Sequence, residues 1–187
     1  MKKITILAIT LLISATSAFA HSDAFQPKFV DTLVNPYLAI QKGLAGDDLK
    51  AAQVGANNFL EAMKNAPNEG EAKEEAADLS TPAKTISEAS DIKAARMAFL
   101  ELSREVIPLV KHVGVTKGIN LFTVHCPMAF GHQGGDWIQS DKTVANPYLG
   151  SKMLRCGSIQ KQIAGNTDAS HGHSDHDDEH EHSGDHH

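Results

Sequence analysis

The sequence predicts an all-α domain: a three- or four-helix antiparallel bundle followed by a glycine-rich Cys/Met loop region with at most one short strand. Three observations predict it. Apolar residues recur at helical spacing along three stretches before residue 114. The link between the first two stretches is short, which favours neighbouring helices running in opposite directions. Beyond Gly118 that periodicity is lost, and glycine and turn residues take over.

The chain opens with an expected export leader over residues 1–20. Lys2 and Lys3 give a basic start, Ile4 to Ile13 an apolar centre, and Ala18-Phe19-Ala20 a cleavage site of the A-x-A kind. A mature protein starting at His21, in a bacterial periplasm where disulfides can form, is the expectation. No later segment approaches the roughly 18 apolar residues of a membrane span, so no membrane anchor is expected.

In the body, residues 21–164, the first helical stripe is Phe29, Leu33, Tyr37, Ile40 and Leu44, ending near Gly46. Pro36 inside it predicts a kink or a late start. Asp47 suits an N-cap for the second stripe, Leu49, Ala52, Ala56, Phe59 and Met63. An acidic, alanine-rich connection over 67–90 predicts one short helix around Thr81–Ala89. The third stripe runs Ile92, Ala95, Phe99, Leu102, Val106 and Leu109, with Asp91 or Ser90 as cap and Pro108 and Gly114 at its far end. These stripes, Met63 and Met97 included, read as core.

Ile119 to Val124 is β-branched and aromatic, which fits one short extended segment. Pro127 to Gly157 is a long stretch punctuated by glycines and Asn146-Pro147. Loops of that length inside a compact domain are functional or pinned by something. The tail, 165–187, has seven histidines, seven acids and no Lys or Arg, and reads as disordered. The whole chain carries −6 with neutral histidines, so most of the acidity belongs to this tail. A near-neutral body offers no electrostatic footprint for nucleic acid.

The chemistry lies at the two ends of the glycine-rich stretch. His125-Cys126-Pro127-Met128 and Met153-Leu154-Arg155-Cys156 hold the only two cysteines and two of the five methionines. Spacing i,i+2 puts Cys126 and Met128 on one face of an extended chain, and Pro127 favours that conformation. Spacing i,i+3 puts Met153 and Cys156 on one face of a helical turn. Thiolates and thioethers are soft donors that select Cu(I). His125 points away from Cys126 on a strand, whereas His132 can fold back through the glycine-rich turn; both are candidate ligands. The other reading of Cys126 and Cys156 is a disulfide closing a loop of about 30 residues, worth roughly 3–4 kcal/mol in the chain-entropy model. The two readings coexist in a redox switch. Trp137 anchors the loop or shields a bound cation with its ring.

In the tail, His171, His173, His176, His180, His182, His186 and His187 alternate with carboxylates. Such tracts bind Cu(II), Zn(II) or Ni(II) in several weak ways. Hydrolase, metalloprotease and phosphate-loop motifs are missing from the sequence, and no enzyme activity is expected.

The series His125-Cys126-Pro127-Met128-Ala129-Phe130, Gly135-Asp136-Trp137-Ile138, Asn146-Pro147-Tyr148-Leu149-Gly150 and Met153-Leu154-x-Cys156-Gly157 resembles a small family of bacterial periplasmic domains. That family, long labelled only as a domain of unknown function, occurs alone or fused to adaptor subunits of copper/silver efflux pumps. The likeness covers 119–159 and extends to Arg96-x-x-Phe99-x-x-Leu102-Ser103. It implies a helical domain tied to copper or silver handling, with Cys126, Met128, Met153 and Cys156 as soft ligands. With an expected leader of its own, no adaptor portion expected and a histidine tail, this chain departs from the pattern. The expected function is thus a periplasmic copper chaperone or buffer, with copper efflux components or a cuproprotein as partners. The alternative is a disulfide-stapled module whose loop docks on an envelope partner.

Overall fold

A computed structural model describes residues 25–116 and 118–165; the expected leader, His21 and the tail histidines lie outside the described residues. Four long helices come first: α1 (Pro27–Ala45), α2 (Leu49–Met63), α3 (Gly70–Ser87) and α4 (Ile92–Val113). Each packs on its neighbour in sequence, and α1 also meets α4, which closes the bundle. Its core holds Leu33, Ile40, Phe59, Leu79, Phe99 and Leu102, all essentially inaccessible.

Local signals set the helix ends. Pro27 opens α1, where a missing N–H costs nothing. Asp48, not Asp47, caps α2 by accepting from Ala51 N at 2.9 Å. Asp91 caps α4 in the same way through Ala94 N, and Gly114, at φ 83°, ends it. α1 and α2 pack closely because glycines face the partner backbone: a Cβ on Gly43 would stand 2.6 Å from Ala52 N, and one on Gly55 2.8 Å from Ile40 N.

Three further expectations need correction. The late start offered for the first helix is excluded: α1 begins at Pro27, ahead of Pro36, and runs through it. One lost hydrogen bond is outweighed there by the burial of Val30, Leu33, Val34, Tyr37, Leu38 and Ile40. The short helix expected at Thr81–Ala89 is 18 residues long and spans Gly70–Ser87. Its buried face, Ala72, Leu79, Pro82, Ala83 and Ile86, is too poor in large apolar residues to stand out among the acids. The third correction is the sheet. Instead of at most one strand there are three: β1 (Leu121–Cys126), β2 (Gly135–Gln139) and β3 (Ser158–Ala164). They form an antiparallel sheet in the order β2-β1-β3. The domain is therefore helix-rich with a small sheet, not all-α. β2 packs against α4 and also touches α1, so the sheet is bound to the bundle. Among the described residues, no helix is long and apolar enough to cross a membrane.

Candidate metal centre

β1 ends in Cys126, which is fully buried. The chain then turns through Phe130 (φ 51°, ψ 44°), Gly131 (φ 68°, ψ 43°) and His132 (φ 72°), three successive residues of positive φ, before β2 begins. This left-handed turn is rare for residues that bear a Cβ. In the hairpin, Val124 lies opposite Trp137, His125 opposite Asp136 and Cys126 opposite Gly135. Trp137 therefore shares a face with Val124 and Cys126, while His125 and Asp136 share the other.

Residues 140–157 fold back over the Trp137 face and are held there largely by side-chain hydrogen bonds. Gln139 accepts from the Trp137 indole N–H and from Ala145 N, and donates to the carbonyls of Asp141 and Thr143. Asn146, wholly buried, accepts from the backbone N–H of Tyr148 and Leu149 on its Oδ1. Its Nδ2 donates to the Cys156 carbonyl at 2.7 Å. Tyr148 packs edge-on against Trp137, with ring centres 5.6 Å apart and planes at 89°, and its hydroxyl donates to the Asp136 carbonyl. Gly157 lets the chain pass against the indole: a Cβ there would lie 2.9 Å from Trp137 Cη2.

The bundle grips the same loop. Arg96 donates to the carbonyls of Pro147 and Leu44 and to Asp47 Oδ1. Asp47 Oδ2 accepts from Ser151 N at 2.9 Å. The Ser151 hydrogen bonds, then Arg96, lower the Asp47 pKa from 3.8 to about 2. Gln41 donates to the Ala145 carbonyl. Two copies of Asn-Pro-Tyr-Leu, at 35–38 and 146–149, put tyrosines on Phe99, at 5.0 Å from Tyr37 and 6.0 Å from Tyr148. Tyr37 accepts from Ile138 N and Tyr148 donates to Asp136 O, so both anchor β2. Burial raises the pKa of both phenols, so they stay neutral.

The outcome of this framework is that two thiols 30 residues apart in sequence meet. Both cysteines are free, and Cys126 Sγ lies 2.9 Å from Cys156 Sγ. The hydrogen bond with Cys126, followed by desolvation, raises the Cys156 thiol pKa, while an N–H from Met128 to its sulfur works the other way. Cys156 N also bonds the Met153 carbonyl, which closes the turn that follows the 3₁₀ segment Gly150–Met153. Met128 and Met153 are 39% and 43% exposed, so their thioethers are open to solvent beside the thiols in sequence.

The remaining candidates separate. His125 Nδ1 is 2.7 Å from Asp136 Oδ1, on the face of β1 turned away from Cys126, beside a cavity of about 330 Å³ lined by Arg104, Ile107 and Pro108. His132 is exposed at the end of the left-handed turn. Trp137 is fully buried, where it fills the space under the loop and offers no surface to a partner. Among the described residues, no three His, Cys, Asp or Glu side chains are grouped to hold a metal ion. Among the described residues, the sulfurs of Cys126 and Cys156 are the candidate donor atoms seen to meet from the two motif ends. The supporting residues Asn146, Arg96 and Asp47 carry little local signal of that role; Asn146 and Arg96 lie in the segments that resemble the periplasmic domain family.

Residues 33–118 match the model of a family described as "Protein of unknown function (DUF3347)". The match covers most of α1, all of α2 to α4, and stops short of β1. It therefore falls on the bundle and not on the Cys/Met segment. No match was found among curated proteins or among solved structures.

Proposed function

We propose that this chain is a copper-binding protein of the periplasm, a chaperone or buffer in copper or silver homeostasis or efflux. Cys126 and Cys156 bind Cu(I), and Met128 and Met153 complete the soft donor set. The observation that carries this reading is the 2.9 Å approach of two free thiols from opposite ends of a long loop. Two thiolates with thioethers nearby in sequence favour a soft monovalent ion over the hard cations that carboxylates hold. Binding displaces the thiol protons, so affinity weakens as pH falls. The histidines of the tail serve as a loose collector of Cu(II), Zn(II) or Ni(II).

Anaerobic titration with Cu(I) against a chromophoric competing chelator tests the reading. One tight site is expected in the reduced protein. Cys126→Ser combined with Cys156→Ser lowers affinity by more than about 100-fold, beyond what loss of an outer-shell partner costs. Unchanged affinity in that double variant sinks the core site. The same approach of the thiols also favours a second reading, an oxidised staple in a docking module. Two countable thiols in protein taken directly from the cell rule out the permanent staple; none, with resistance to mild reductants, supports it.

A further inference from the structure

We infer that the Cys126–Cys156 pair also reduces Cu(II) to Cu(I) as it closes, an activity that rests on the soft-donor reading above. The two sulfurs are already in contact at 2.9 Å, so a small approach brings them to the roughly 2.05 Å of an S–S bond. The pair is unequal. Cys156 is partly exposed and meets an incoming ion, whereas Cys126 is buried and faces its partner thiol. Exposed thioethers at Met128 and Met153 hold Cu(I) better than Cu(II), which pulls the metal couple toward reduction.

The step balances without a further reagent. Both S–H bonds break and one S–S bond forms. Two protons pass to water, and two Cu(II) ions each take one electron to become Cu(I). One chain thus gives two electrons and stops: it is a stoichiometric reductant, and the product ions are left with thioether donors that release them easily.

The test uses the full chain, reduced and freed of reductant, mixed without oxygen with two equivalents of Cu(II) and a chromophoric Cu(I) chelator. Two Cu(I) per chain are expected, with loss of both thiols, a mass lower by two hydrogens and, at a fixed Cu(II) concentration, a per-chain rate constant independent of chain concentration. Cys126→Ser and Cys156→Ser each leave one thiol, which can bond only to another chain. At micromolar protein their Cu(I) production is slower by about 100-fold and rises with concentration, because the intramolecular partner is gone. Persistence of the Cu(II) electron spin signal with both thiols still countable overturns the inference. So does an S–S bond found only between chains. A protein that binds Cu(I) supplied directly but leaves Cu(II) unreduced sinks this inference alone; failure to bind Cu(I) in the direct titration sinks both.

Discussion

The bundle and the segment from Leu121 to Ala164 keep their shapes by different means. In the bundle, apolar side chains such as Leu33, Ile40, Phe59 and Leu102 are buried against one another. The second region has buried apolar groups too, but its loop is positioned by polar atoms far apart in sequence: Gln41 to Ala145, Arg96 to Pro147, Tyr148 to Asp136. Apolar packing accepts many substitutions of similar size, whereas a hydrogen-bonded loop has one geometry in which its partners are satisfied. That restriction suits a pair of sulfurs that must meet across 30 residues of chain.

Phe99 offers the most forceful way to break the distinction, because its ring contacts Tyr37 in the bundle and Tyr148 in the loop. Phe99→Ala is expected to cost about 3–5 kcal/mol and to weaken both regions together. Urea unfolding followed by helix signal and by tryptophan emission should give coincident curves; separate transitions show that the two regions fold independently. Asn146→Ala sharpens it. The substitution strands the N–H groups of Tyr148 and Leu149 and the Cys156 carbonyl, for about 1–3 kcal/mol. The helix content should persist while the oxidant-driven closure of Cys126 with Cys156 slows; an unchanged closure rate shows that the loop does not depend on this residue.

The smallest effect is at Asp47. Its carboxyl titrates lower in the folded protein than its usual 3.8, so the charged form stabilises the fold. That contribution is fully present above pH 3.8 and is lost as pH falls toward about 2. Asp47→Asn should remove this part of the acid-unfolding profile and leave neutral-pH stability only slightly lower. An acid limb identical to the parent's excludes the Ser151 and Arg96 contacts as its source.

Much of this architecture was legible in the residues, and the parts that were not share a cause. Periodicity located α1, α2 and α4, because large apolar residues mark their buried faces. It underestimated α3, whose face is mostly alanine. Strands β2 and β3 escaped because Gly135-Asp136-Trp137-Ile138-Gln139 and Ser158 to Ala164 lack a run of β-branched residues, and pairing with β1 decides their conformation. At the site, spacing singled out the two cysteines, and the fold brings them together. Strand alternation also put His125 on the face away from Cys126, but it did not show that Asp136 is the partner of His125 there or that Trp137 lies wholly beneath the loop; both follow from strand register, which no local pattern encodes.

The position of the single tryptophan has a practical consequence. The edge of its indole rests where Gly157 follows Cys156. Light emitted from that one ring therefore reports on the sulfur-bearing turn at close range, with no dye attached. A heavy ion lodging next door quenches it, and loosening of the turn reddens it as water reaches the ring. The protein thus carries its own optical gauge of whether the two ends of the loop are clasped.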